Sequence, residues 1–228
     1  MFKSKKVLIL LSIMFIIGFA TTSVYNLVAQ ASVEEKMTNS IIKIQKQIEL
    51  EIQNHSTLAA SSNPYDYVNN IKEVENIVDL GYRALPYIEQ NIDESEGSGL
   101  MDYILAIAAE KIAKVDLKKN SKTFWDTGNA FSQQWKKQLQ QTPQEVNHIA
   151  NSNLSVDEKI KSLETLGIPA IPFIIEKVKE GNNELFPAIP LILGEENTIQ
   201  SSQPGDEAVW IKDNETKFED LKAYVLSK

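Results

Sequence analysis

Apolar residues recur every three or four positions through most of the chain, and nowhere does an apolar–polar alternation persist. That period predicts helices joined by short turns, with little or no sheet. It appears first from residue 32 to about 55, where Ile41, Ile44, Ile48 and Ile52 fall on one helical face. Lys43, Lys46, Glu49 and Glu51 fill the other sides. The stretch from Ser56 to Pro64 ends in Ser61-Ser62-Asn63-Pro64 and reads as a loop. A lone amphipathic helix with its loop is therefore expected over residues 32–64, and a separate helical domain over 65–228. Within that domain, Leu100, Tyr103, Ile104, Ile107, Ala108, Ile112 and Val115 predict an amphipathic helix that packs on the one containing Leu85 and Ile88. Phe124, Phe131, Trp135 and Leu139 predict a second stripe. The polar stretch from Glu195 to Gly205 reads as a loop, and Phe218, Leu221 and Val225 as a last helix that caps the stack.

The same pattern occurs twice. Val74, Ile77, Leu80-Gly81, Ala84-Leu85-Pro86-Tyr87-Ile88 and Ile92 form one copy. Ile160, Leu163, Leu166-Gly167, Ala170-Ile171-Pro172-Phe173-Ile174 and Val178 form the other, at a constant offset of 86 residues. Leu80, Gly81, Ala84, Pro86, Ile88 and Glu94 are identical in the two copies, so the match extends to the glycine and the proline as well as the apolar positions. In the second copy Ser155-Val156-Asp157-Glu158 fits a capping box that starts a helix near Val156. Gly167 is expected to end that helix as a left-handed residue. Pro169 and Pro172 then open the next helix, where a missing N–H costs little. The unit predicted is helix, tight turn, helix, with the two apolar stripes facing each other and the outer faces stacked on neighbours.

The motif Leu-Gly-x-x-Ala-[Leu/Ile]-Pro-[Tyr/Phe]-Ile between two amphipathic helices resembles the HEAT-type repeat of bacterial helical-repeat proteins. The segment from Asp157 to Gly194 carries the closer match and continues through Leu185, Phe186 and Ile189. The segment from Tyr65 to Val115 has Arg83 where the second copy has Pro169. The offset is about twice the ~40–47 residues of one such repeat, so a degenerate unit is expected over Lys118 to Asn151. The resemblance implies an all-α fold of HEAT-like stacked hairpins, an α-solenoid fragment whose curved face binds a partner. It implies no catalytic residue and no cofactor.

The first residues point to an address outside the cytoplasm. Lys3, Lys5 and Lys6 precede an apolar run from Val7 to Ala20, and Ala29-Gln30-Ala31 supplies small residues for a signal peptidase. Cleavage after Ala31 is expected, so residues 1–31 form a signal peptide. The competing reading is a retained membrane anchor. The run itself is shorter than the ~20 residues a spanning helix needs, and extending it to Val28 brings in Thr21, Thr22, Ser23 and Asn26. Contact with a membrane is expected only through residues 1–28, and only if the signal is kept.

Composition then removes several chemistries. Cysteine is absent, which excludes a disulfide, a thiol nucleophile, a Cys-based metal site and a lipoprotein anchor. Net charge is −8, which argues against a nucleic-acid partner. His55 and His148 are the two imidazoles, and no H-E-x-x-H or G-x-S-x-G occurs. Ser40-Ile41-Ile42-Lys43 fits S-x-x-K, but the S-D-N and K-T-G motifs that accompany it in penicillin-interacting enzymes are missing. The acidic run Asp93-Glu94-Ser95-Glu96 precedes Gly97 and reads as a solvated turn. No catalytic, cofactor or metal residue is expected. Binding candidates are the aromatics Trp125, Trp135, Trp210, Tyr65, Tyr67 and Tyr82, because aromatic rings dominate binding hot spots. Trp135 sits on an apolar stripe and is expected in the core, which leaves Trp210 as the surface candidate. The function expected is a non-catalytic interaction or scaffold module of the bacterial cell envelope, with a protein partner. The alternatives are an envelope enzyme or enzyme accessory protein acting on peptidoglycan or peptides, and a membrane-tethered spacer.

Overall fold

A computed structural model describes residues 32–194 and 206–228. The expected signal segment and the loop expected from Glu195 to Gly205 lie outside the described residues. Those described are helical, with no strand among them, so the described part of the chain is all-α as its periodicity predicts. None of the described helices is long and apolar enough to cross a membrane.

The first helix, α1, covers residues 32–53 and is not alone. Met37 and Ile44 are fully buried in the common core, with Val33, Ile41 and Ile48 packed against it, whereas Ile52 is exposed. The buried stripe therefore begins one turn earlier than the isoleucines suggest. Burying these side chains against the rest of the chain gives α1 a stability that an isolated helix of this length lacks in water.

Two short helices follow, α2 (Pro64–Asn70) and α3 (Lys72–Val78), separated by Ile71 in extended conformation. A 3₁₀ turn, Gly81–Ala84, leads into α4 (Leu85–Glu94), and α5 spans Leu100–Ala113. A long helix, α6, runs from Gly128 to Ala150. Then come α7 (Val156–Glu164), a 3₁₀ turn at Ile168–Ala170, α8 (Ile171–Lys179) and α9 (Ala188–Leu193). The last two helices are α10 (Asp206–Asn214) and α11 (Glu219–Leu226).

The internal repeat is structural as well as sequential. At the 86-residue offset α3 and α7 end together, and α4 and α8 begin together. Gly81 and Gly167 both have φ +67°. The stripes do not face each other as expected. Both α3 and α4 pack on α5, and correspondingly α7 and α8 pack on α9. Each unit is thus three helices, with the third laid across the first two. This explains why α5 is not amphipathic: Ile104 to Glu110 are buried without a break, as in a helix covered all round. In the second unit the third helix is cut short at Gly194, which is left-handed.

The interval expected to hold a degenerate hairpin holds one long helix. The buried face of α6 is Phe131, Trp135, Leu139, Thr142, Val146 and Ala150. Phe124 precedes the helix and is exposed, so the stripe starts at Phe131. Thr127 caps α6 by accepting the Ala130 N–H at 3.1 Å. Thr127→Ala should cost about 1 kcal/mol of stability, read as a shifted denaturation midpoint at constant m value.

The expected capping helix is present, but it closes the molecule rather than ending it. α11 packs on α6 and α8 and reaches the 3₁₀ turn of the first unit. Tyr82 donates a hydrogen bond to the Lys217 carbonyl and stacks on Phe218 at 5.5 Å. A polar network lies beneath. Trp135 Nε1 donates to the Tyr224 hydroxyl at 2.8 Å, Tyr224 donates to Glu89 Oε2 at 2.6 Å, and Lys228 Nζ reaches Glu89 Oε1 at 2.6 Å. Asp93, expected as part of a solvated turn, is tied to α6 by Ser132 Oγ and Lys136 Nζ, both at 2.6 Å. Burial pushes its carboxyl up, but those hydrogen bonds outweigh it and hold it below the usual carboxylate range.

Candidate functional site

A groove of about 830 Å³ lies between α6 and α7. From α6 it is lined by Gln141, Gln144, Glu145, His148 and Ile149, which share one face at helical spacing. From α7 come Glu158, Lys161 and Ser162, with Thr165 just beyond. Leu166 is buried and Ile149 half-buried, so they form the floor. Leu154, in the connecting loop, is exposed and forms an apolar edge. A smaller hollow of about 500 Å³ shares Lys161 and Thr165 with the groove and extends to Lys114, Lys119 and Leu191.

The closed end of the groove is held by local chemistry that the sequence announces. Ser155 and Glu158 form the expected capping box. The Ser155 amide and hydroxyl donate to Glu158 Oε2 at 2.9 and 2.7 Å, and the Glu158 amide donates to Ser155 Oγ at 3.4 Å. These bonds from Ser155 hold the Glu158 carboxyl below its ordinary value. On the other side Lys159 Nζ donates to the Ala150 carbonyl at 2.8 Å and satisfies an orphan acceptor at the end of α6. The loop between the helices is thus fixed at both ends, and the groove does not need to be ordered by a ligand.

The other candidates are distributed as follows. Trp210 is half-buried. Its ring meets Phe186 edge-on at 5.7 Å and stacks on Phe218 at 6.5 Å, so it joins α10 to the second unit. Trp135 is in the core, as its stripe predicts, and Tyr67 is buried. Tyr82 is packed against the C-terminal helix region. Tyr65 and Trp125 come together around Lys118, far from the groove in the chain. His148 is exposed on the groove wall, and His55 is exposed after α1 with φ +49°. Ser40 is turned into the core while Lys43 faces solvent, an arrangement that separates the two groups of the S-x-x-K pattern. Among the described residues no group of three or more acidic or imidazole side chains is placed to hold a metal ion.

Sequence reading missed the groove because its walls come from polar positions of α6 and α7, which look like ordinary solvated faces. The signal that could have found them is the adjacent pair of an apolar Leu154 and a capping box, which places an exposed leucine in a rigid turn. Comparison with protein-family models, with curated proteins and with solved structures found no match.

Proposed function

We propose that this protein is a non-catalytic interaction module of the bacterial cell envelope that binds a segment of a partner protein in the groove between α6 and α7. The observation that carries this reading is the groove itself: an apolar floor and edge, Ile149, Leu166 and Leu154, rimmed by amide and charged side chains. Apolar lining with a few fixed polar groups is what peptide and ligand clefts share. The rim carries both signs, Glu145 and Glu158 against Lys161, which suits the mixed side chains and backbone amides of a polypeptide.

In this reading the helical stack is HEAT-like. Support for it comes from two units with coincident helix boundaries and a shared glycine turn, the turn of the second unit meeting α5 of the first. Helical-repeat proteins use such stacks as binding surfaces. Exported placement rests on the lysines, apolar run and small residues of 1–31. The protein is secreted or anchored, with its bulk outside the cytoplasm.

A photo-crosslinking residue at position 154 tests the reading in intact envelopes, with position 209 as the exposed control on α10. A discrete adduct from position 154 that is absent from 209, and lost with Ile149→Asp, is the expected result. No adduct from 154, or the same adducts from both positions, would overturn it.

A further inference from the structure

A second feature lies at the other end of α6 and owes nothing to the groove. Three aromatic rings surround the ammonium of Lys118. Nζ sits 3.7 Å from the centroid of Trp125, 4.9 Å from that of Tyr103 and 5.6 Å from that of Tyr65. All three distances are within the range in which a cation is attracted by a ring face. Lys118 Nζ thus lies directly against ring faces.

The walls are built without help from the lysine. Trp125 is fully buried. Its Nε1 donates to Glu110 Oε1 at 3.0 Å, and the same oxygen accepts the Leu117 amide at 2.8 Å. Phe131 meets its ring edge-on at 5.3 Å. The Tyr103 ring lies 5.1 Å from Trp125 at 45°, and its hydroxyl donates to the Asp126 carbonyl. Tyr65, at the start of α2, completes the cage and is exposed on its outer side. Carboxylates of Glu110, Asp116 and Asp126 supply negative potential around the position of the cation. Lys118 itself stands on a three-residue 3₁₀ turn, Leu117–Lys119, and is half-buried, so its side chain can rotate into water without unfolding an element.

The resident is chemically poor for this place. A primary ammonium is a compact, strongly hydrated charge with three donors. In the cage those donors exchange water for ring faces, and desolvation lowers the Lys118 pKa against the pull of Glu110 and Asp126. A quaternary ammonium carries the same charge without donors and with a weakly held hydration shell. It gains the ring faces and the carboxylate field and leaves no hydrogen bond unmade.

We propose that Tyr65, Tyr103 and Trp125 form a binding site for a quaternary ammonium group, which Lys118 occupies in the free protein and vacates when that group binds. A trimethylammonium can arrive as a free solute or as the end of a lipid headgroup. The chemistry recognised is the same, and the two sources are separable.

Calorimetric titration with choline tests the site, with the neutral isostere 3,3-dimethylbutan-1-ol as control. Lys118→Ser, which removes the occupant, should bind choline about three- to tenfold more tightly than the native chain. Tyr65→Leu, at an exposed position that leaves the core intact, should weaken binding about fivefold or more. The isostere should not bind measurably. Absence of choline binding by folded Lys118→Ser up to about 50 mM would overturn the proposal. Equal binding of the isostere would also overturn it, because an apolar pocket would suffice. Phosphatidylcholine vesicles, with phosphatidylglycerol vesicles as control, separate the sources: selective vesicle binding assigns the headgroup, and choline binding without it assigns the free solute.

Discussion

Gly167→Val should lower stability by about 4 kcal/mol or more, whereas Gly81→Val should cost about 1–2 kcal/mol. The two glycines occupy the same place in the two units and share φ +67°. At Gly167 ψ is −162°, a region that side chains other than hydrogen barely enter and that costs about 1–3 kcal/mol when forced. This differs from the left-handed helix end expected from sequence. The surroundings then separate the pair. A Cβ on Gly167 would fall 2.2 Å from the Ala113 carbonyl oxygen, 2.7 Å from Val115 Cγ1 and 3.0 Å from the Lys114 carbonyl oxygen. Two of these are backbone atoms at the end of α5, and they cannot yield without moving that helix. A Cβ on Gly81 meets nothing within 4 Å. The second unit thus docks on the first through a glycine, with helix-end carbonyls lying where a side chain would be. Urea denaturation of both variants at matched m values reads the difference. Equal losses would mean that only backbone conformation matters and that the two units are not locked together at this point.

Glu89→Ala should be nearly as damaging, at about 3 kcal/mol. Glu89 stands where the second unit has the buried Ile175, so the repeat pattern alone reserves its place for an apolar side chain. Its carboxylate is buried and accepts from both Tyr224 and Lys228. Truncation leaves the Tyr224 proton without its acceptor in the core and the Lys228 ammonium without its partner, and removal of one member is the expensive way to break a buried pair. Tyr224→Phe should cost somewhat less, about 2 kcal/mol, because it leaves Glu89 paired with Lys228 while taking the acceptor from the buried Trp135 N–H. The same network sets a pH signature. Burial, and then the Glu89 carboxylate, raise the Tyr224 hydroxyl pKa far above its ordinary 10.0. The folded state therefore holds that proton more tightly than the unfolded state. Its contribution is complete below about pH 10 and is lost as pH rises beyond it. Stability measured from pH 8 to about 11 should fall less steeply in Tyr224→Phe than in the native protein. Identical slopes would show that Tyr224 does not ionise on unfolding in that range.

Legibility in the sequence followed the range of the forces involved. The capping box at Ser155 and Glu158, the glycine turns, and the prolines at the second positions of α4 and α8 are all local, and each is present. The expected packing of α5 on α4 also holds. For the helix at residues 32–53 the deciding fact is long-range. Its face is apolar because it packs on the rest of the core, and the loop behind it says nothing about separation. Phe124 shows the reverse case: it sits in register with Phe131 and Trp135, yet the chain is not helical there and its ring is exposed. Of the aromatics singled out by type, Trp125 and Tyr65 do share a site, but only the fold brings Tyr103 and Lys118 to them.

By itself the amino-acid sequence determined that the protein is helical, that one unit occurs twice, and that each unit turns at a glycine. These features depend on hydrophobic period and on the conformational freedom of single residues, and neighbours a few positions apart specify both. Tertiary structure decided what each buried face meets. It laid α5 and α9 across their units, returned α11 to Glu89, opened the groove between α6 and α7, and enclosed Lys118 in three rings. The physical reason is that an apolar stripe specifies burial without naming a partner, since the hydrophobic effect has no direction. Partners are selected by close packing and by hydrogen bonds between residues as far apart in the chain as Glu89 and Lys228.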